Sequence, residues 1–435
     1  MKQRNNIRIK VPDPLVLALW LSWLTLVLAW LFGTEAGEGL HGIVQLLGWW
    51  GKGFWELLAF SMQMVLILLL GYMLALSPAL DALSTGLSKT GQKPRRQAVA
   101  VVLTALLAGF LNWGLALVFG SVLVRKLAEK AKKEGSAINY PLLGASAYVC
   151  MMVWHGGLSG SAPLTVAGQG HFLFDKTGLI GLGDTLFSGM NLLAWLLLFL
   201  VIPGLTYLMA RGTANRIPEI VLPDRKAEMT KEQIFKISLL SVTGLALVVT
   251  VLLHQIMQPG GGIGLNEINL LLFGLVLIFL PEPGKLSKAA STAAGSTMGI
   301  ILQFPLYAGI MGMMKYSGLL VVMTGWFVDL ADAESFPMLA FVSAAVVNLF
   351  VPSGGGQWAV QGPLLTDAAT ALGVSHSVTV MALAYGDQLT NMLQPFWALP
   401  LLGITGLKAG EILPYALKFM VAGFAIFSLV LWLFG

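Results

Sequence analysis

Asp387 is an acidic residue inside the apolar part of a membrane-length segment, in the run YGDQLTNMLQP from Tyr385 to Pro395. A carboxylate in hydrocarbon is costly unless it is paired, protonated or bound to a cation. Asp387 with Thr390, Asn391 and nearby carbonyls could form a Na+ shell, or Asp387 could take up a proton itself. A fixed structural acceptor is the plain alternative. The run HGGLSGSAP, His155 to Pro163, sets a histidine before glycines and serines. Histidine titrates near neutral pH, so His155 is either a proton relay or a neutral ring bonded inside a helix break. A third run, VNLFVPSGGGQWAVQGP from Val347 to Pro363, combines prolines and glycines with amide side chains. Irregular backbone at membrane depth survives where protein or a polar cavity satisfies it, so this run is expected to line a site.

No lysine or arginine falls at a mid-membrane position beside these runs. An anion bound there would be met by neutral donors and by the amides of helix N-termini. The substrate-binding candidates are Ser159, Ser161, Ser353, Gly354, Gly355, Gly356, Gln357, Trp358 and Asn391. Trp154, Trp358 and Trp397 could form an apolar wall, with Gln361 and Gln394 nearby in sequence. The ion-coupling candidates are Asp387, Thr390, Asn391, Asn112, Asn348 and His155. Asn112 and Asn348 could equally brace the tips of hairpins, and each serine or asparagine could simply cap its own broken helix.

The elements that must position these groups are membrane helices. The chain is 57% hydrophobic and 11% charged, with a mean hydropathy of +0.80. Soluble proteins carry about a quarter charged residues. An all-α polytopic membrane protein follows, set in a lipid bilayer. The net charge of +5 sits in short loops and fits the positive-inside rule, not a nucleic-acid partner. The single Cys150 excludes an intramolecular disulfide and a cysteine metal cluster. No HExxH, P-loop or nucleophile triad is present, which argues against an enzyme or a primary pump.

Basic residues Lys2, Arg4, Arg8 and Lys10 place a tail at 1–11 in the cytoplasm. Spans are expected at 15–32, 54–77, 138–163, 189–209, 234–254, 267–280, 289–314, 376–398 and 412–434, with the C-terminus outside. Leu40 to Trp50 suits the interface, and 316–334 an outer surface. Residues 97–124 are flanked by basic loops on both sides, Lys89 to Arg96 and Arg125 to Lys133. One span would separate those loops, and two full spans need about 40 residues. A re-entrant hairpin at 97–124, turning near Asn112 to Gly114, satisfies both constraints. A second hairpin is expected at 335–372.

The order span, span, hairpin, broken span, span occurs twice. The first repeat is 12–210 and the second 265–435, with a cytoplasmic loop and linking helix at 211–264. Each hairpin has an asparagine at its tip, Asn112 and Asn348. Each broken span has a polar residue eight positions before a proline, His155 with Pro163 and Asp387 with Pro395. Two inverted-topology repeats with two re-entrant helical hairpins and two broken helices are a transporter design.

The stretches LNWG at 111–114, HGGLSGSAP at 155–163, GDTLFSG at 183–189, VPSGGGQWAVQGP at 351–363 and YGDQLTNMLQPFWALP at 385–400 together resemble the short-chain fatty acid transporter family, named for acetoacetate uptake in bacteria. The resemblance covers nearly the whole chain. It implies membership of a wider group of ion-coupled carriers of dicarboxylates, citrate and aminobenzoyl-glutamate. Those relatives have paired hairpins and unwound helices, often form homodimers, and work by alternating access. The resemblance implies small monocarboxylates of the acetate, butyrate and acetoacetate type as substrates, and no cofactor beyond Na+ or H+ as coupling ion. The pattern GDxxTNxxxP, Gly386 to Pro395, resembles a segment that in the wider group helps form a cation site. The location implied is the bacterial inner membrane. A secondary carrier is therefore expected; a cation antiporter of related architecture, a membrane enzyme and a channel are the alternatives.

Overall fold

The computed structural model describes residues 14–56, 58–77, 94–136, 138–169, 171–210, 237–257 and 265–435. The expected cytoplasmic tail, most of the basic loops at 78–96 and 210–236, and the turn at 258–262 lie outside the described residues. All regular structure described is helical. In chain order the helices are α1 Pro14–Phe32, α2 Gly39–Glu56, α3 Leu58–Ala75, α4 Pro94–Leu111, α5 Trp113–Glu134, α6 Tyr140–Tyr148, α7 Ser161–Val166, α8 Phe174–Thr177, α9 Gly189–Met209, α10 Leu239–Met257 and α11 Leu265–Phe279. They continue with α12 Pro283–Ala294, α13 Met298–Tyr316, α14 Leu319–Val328, α15 Phe336–Asn348, α16 Gly354–Leu372, α17 His376–Thr390, α18 Pro395–Thr405 and α19 Ala409–Phe434.

Five of the described helices are long and apolar enough to cross a membrane: α1 (from Leu15), α4, α9, α13 and α19. Helices α2 and α3 meet at a bend of 43° and together make a sixth candidate. Leu40 to Trp50 is thus part of a long helix leading into α3. Tryptophans 20, 23, 30 and 432 are exposed on these helices, as expected for faces turned to lipid.

The helices break where the sequence removes or diverts backbone hydrogen bonds. At Asn112 the backbone is extended, and the side-chain Oδ1 accepts from the amides of Gly114 and Leu115 at 2.9 and 3.2 Å. This cap restarts the chain as α5, and α4 and α5 pack against each other. Between α15 and α16, Pro352 has no N–H to continue the ladder. Ser353 is extended and its Oγ accepts from Gly356. The glycines at 354–356 were expected within the irregular stretch. They form the first turn of α16 instead, because Ser353 satisfies the helix entrance. The interruption proper is 349–353.

Two further helix interruptions follow one plan. Helix α6 runs into a 3-10 turn at Val149–Met152, leaves helical form, and resumes at α7. Helix α17 runs into a 3-10 turn at Asn391–Leu393, extends at Gln394, and resumes at Pro395, which suits a helix start. Close approach is built in. A Cβ on Gly386 would fall 2.2 Å from the Phe341 carbonyl oxygen, so α15 and α17 meet backbone to backbone there.

The end of α5 differs from the sequence reading. Helix α5 continues to Glu134, past the expected hairpin end at 124. Arg125, Lys126 and Glu129 are buried rather than in a loop. Glu129 pairs with Arg125 at 3.2 Å and Lys126 at 3.5 Å. Arg125 Nη1 donates to the Ile404 carbonyl at 2.7 Å, and the Tyr140 hydroxyl to the Thr405 carbonyl at 2.6 Å. These donors cap the C-terminal end of α18, where carbonyls lack helical partners. The long apolar helix α4 also has the length of a full span, so length alone does not define it as one limb of a short hairpin.

Candidate functional site

The interrupted segments α6–α7 and α17–α18 meet through His155 and Asp387. His155 Nδ1 lies 2.6 Å from Asp387 Oδ2, and both residues are fully buried. The Ala162 amide donates to His155 Nε2 at 3.0 Å. An accepting Nε2 carries no proton, so the single proton of a neutral ring sits on Nδ1 and points at the carboxylate. Trp154 stacks on the ring with centroids 4.5 Å apart. The backbone amides of His155 and Gly156 both donate to Gln388 Oε1, at 3.0 and 3.1 Å. The unwound backbone of the first half is thereby held by side chains of the second. Asp387 Oδ1 is buried with no hydrogen-bond partner.

A second knot surrounds Asn348, the last residue of α15. Its Nδ2 donates toward three oxygens: the Asp387 carbonyl at 2.7 Å, Thr390 Oγ1 at 3.0 Å and Asn391 Oδ1 at 2.7 Å. Its own carbonyl accepts from Gln394 Nε2. Thr390 Oγ1 also donates to the Ala345 carbonyl at 3.0 Å. Asn348 Oδ1 and Asn391 Nδ2 are buried without partners. Thr390 and Asn391 therefore face Asn348, while the Asp387 carboxylate faces His155.

The other candidates divide by place. Ser159 Oγ accepts from the Trp113 amide at 3.2 Å, tying the first break to the start of α5. Leu158 donates to the Phe110 carbonyl at 2.7 Å, which occupies an orphan acceptor at the end of α4. Asn112 acts as the α5 cap, away from the His155–Asp387 bond in the hydrogen-bond pattern. Ser161 opens α7; a Cβ on Gly355 would lie 3.7 Å from the Ser161 Cβ, so α16 and α7 touch there. Gly354 lies against the pair itself: a Cβ would fall 2.7 Å from Trp154 and 2.8 Å from the His155 ring. Gln357 Nε2 donates to the Ala344 carbonyl and to Gln361 Oε1, and Gln361 Nε2 to Ser343 Oγ. Those bonds hold α15 and α16 together. Trp358 is buried beside Phe172.

Several residues of this network carried weaker signals. Gln388 sits beside Asp387 in an apolar span and is polar in the same sense. Asn191 donates to the carbonyls of Gly156 and Leu186 and accepts from the Tyr385 hydroxyl at 3.0 Å. The Tyr148 hydroxyl reaches the carbonyls of Asn391 and Gln394 at 2.7 and 2.9 Å. Tyrosine in an apolar run gives no warning of such a role, because its ring fits the core equally well.

Five membrane-length helices together with helices interrupted at buried polar side chains define a polytopic membrane protein. No cluster of three metal-ligating side chains occurs among the described residues. A family model described as "Short chain fatty acid transporter" matches residues 4–434, and the chain belongs to that family. A protein of Escherichia coli strain K12 named for short-chain fatty acid transport is 38% identical over 435 residues, covering 98% of this chain and 96% of that one. One of Haemophilus influenzae with the same name is 36% identical over 439 residues, covering 97% and 96%. Among solved structures, the Alcanivorax borkumensis YdaH transporter covers 97% of this chain and 98% of its own at 17% identity and a TM-score of 0.47. The family makes this chain a transporter and not an enzyme.

Proposed function

We propose that the chain is a secondary active carrier of short-chain monocarboxylates, of the acetate, butyrate and acetoacetate type, coupled to a Na+ or H+ gradient by alternating access. The observation that carries this reading is the buried His155–Asp387 bond between the two interrupted segments. With the ring neutral, the pair bears one negative charge, and a buried charge without compensation is costly. A co-transported cation would neutralise it. A proton has the open Oδ1 of Asp387 as its place. For Na+, Thr390 Oγ1, Asn391 Oδ1 and the Asp387 carbonyl already converge on one point, now filled by Asn348 Nδ2. Turning that amide over would bring a fourth oxygen into the group.

Reciprocal packing supports an inverted repeat. Helix α1 packs on α13 as α3 packs on α11, and α5 packs on α18 as α16 packs on α7. Basic residues stand at both ends of the α4–α5 unit, Arg95 and Arg96 at its start and Lys132 and Lys133 at its end, which supports a hairpin entering from one side. On this reading the N-terminus is cytoplasmic, the C-terminus lies outside, and the membrane is the bacterial inner membrane. The substrate carboxylate would meet uncharged donors such as Ser159, Ser161, Asn391 Nδ2 and the first-turn amides of α16.

Purified protein in liposomes, given separate Na+ and pH gradients and labelled acetoacetate, tests the reading. Wild type should accumulate the acid under one of the gradients, and Asp387→Asn should exchange it without accumulation. Full gradient-driven accumulation by the variant removes Asp387 from the coupling role. Absence of monocarboxylate counterflow by wild type favours a cation antiporter.

A further inference from the structure

Three tryptophans from separate chain breaks meet, and one of them, Trp154, stacks on the His155 ring. Trp113 is the first residue after the Asn112 turn, Trp154 precedes His155, and Trp397 follows Pro395 by two positions. Trp113 presents an edge-to-face contact to each of the others, with centroids 6.3 Å from Trp154 and 5.0 Å from Trp397. All three are buried, Trp113 at 8% exposure being the least so. The cluster joins both halves of the chain, since Trp113 and Trp154 belong to the first and Trp397 to the second.

Polar groups border this aromatic wall. Trp154 Nε1 is a buried donor with no partner. Ser159 Oγ accepts from the Trp113 amide, which places a hydroxyl next to the backbone of the central tryptophan. A donor-bearing edge against a wide apolar face matches a molecule with a carboxylate at one end and a short alkyl chain at the other. Gly354 closes over the Trp154 end, where a Cβ would clash with that ring. Backbone of α16 therefore covers the Trp154 end of the wall, which leaves Trp113 the most exposed of the three.

We infer that Trp113 determines which acyl chain lengths this carrier accepts: its indole, wedged between Trp154 and Trp397, limits the alkyl end of the bound acid. This rests on the monocarboxylate reading given above. Trp113 is a specificity-determining residue that touches the substrate chain, while Trp154 and Trp397 flank it. Truncating Trp113 opens space bounded by two indoles, and longer acids gain apolar burial there. A buried methylene contributes about 0.8 kcal/mol, or roughly fourfold in affinity. Hexanoate, with two methylenes more than butyrate, should therefore gain by about an order of magnitude relative to butyrate.

The test is competition binding to purified protein, with labelled butyrate displaced by acetate, butyrate, hexanoate and octanoate. Binding avoids the passive leak of neutral acids through lipid. Trp113→Ala is expected to raise the hexanoate-to-butyrate affinity ratio about tenfold over wild type, and Trp113→Phe to raise it less. A ratio unchanged within about twofold in folded, binding-competent Trp113→Ala overturns the inference. If the alanine variant does not fold, Trp113→Leu and Trp113→Phe carry the same comparison. Loss of all binding in folded Trp113→Phe also overturns it, because a wall residue tolerates a smaller ring. Failure of wild type to bind any of these acids instead rejects the monocarboxylate reading beneath it.

Discussion

Replacing His155 by alanine should unfold this protein far more readily than replacing Asp387 by asparagine, and the two effects should not add. The ring makes two buried hydrogen bonds, from Nδ1 to Asp387 at 2.6 Å and from the Ala162 amide at 3.0 Å. Deleting the ring strips a buried carboxylate of a charge-assisted hydrogen bond, at a cost of about 1.5–3 kcal/mol. Stranding the Ala162 amide adds about 1–3 kcal/mol. Asp387→Asn keeps an oxygen that can accept from Nδ1 and removes the net charge. The weaker neutral bond and the relief of charge burial offset each other, for a net change of about 1 kcal/mol or less. In the Asp387→Asn background, His155→Ala leaves no naked carboxylate. Its cost should fall by up to about 1.5–3 kcal/mol, which bounds the coupling energy of the cycle. The assay is unfolding of the four proteins in one detergent, followed by tryptophan fluorescence. Additivity within about 0.5 kcal/mol would refute the reasoning, since it would mean that the two residues do not sense each other.

Further outcomes follow from neighbouring geometry. Asn348→Ala strands the Asp387 carbonyl and Asn391 Oδ1, and should cost about 2–4 kcal/mol in the same unfolding assay. Gly354→Ala should lower uptake at least about tenfold, because its methyl meets the Trp154 and His155 rings. Gly355→Ala should stay within about twofold, its nearest neighbour being at 3.7 Å. Arg125→Met keeps most of the stem but leaves the Ile404 carbonyl uncapped and Glu129 without its guanidinium, so a loss of about 3–5 kcal/mol is expected on thermal unfolding. In the connection before α15, the hydroxyl and amide of Ser335 donate to Asp332 and hold its carboxyl below the ordinary value. A lowered pKa stabilises the folded state above the unfolded value of about 3.9, and that contribution fades as pH falls through the folded one. Ser335→Ala should move the Asp332 titration upward when followed by NMR; an unmoved titration would reject the assignment.

Much of the layout was legible because breaks announce themselves. Asn112, Pro352 with Ser353, and Gln394 with Pro395 are residues that stop or restart helices by local chemistry. The structure puts a break at each. The end of α5 was not legible. Arg125, Lys126 and Glu129 look like a solvated loop until their partners are known, and two of Arg125's partners, the Ile404 carbonyl and the Tyr72 ring under its guanidinium, lie far away in sequence. The role of Gln388 was hidden for the same reason. Its acceptor serves the amides of His155 and Gly156, which are over two hundred residues distant in sequence.

Sequence by itself determined that this chain lives in lipid, where its helices are interrupted, and which polar side chains stand at the interruptions. Those facts depend on composition and on the conformational limits of proline, glycine and capping side chains. Tertiary structure alone decided which interruption faces which. It sent the Asp387 carboxylate to His155 and turned Thr390 and Asn391 toward Asn348. The physical reason is that a buried polar atom must find its partner in space, and helix packing, not spacing along the chain, brings that partner within reach.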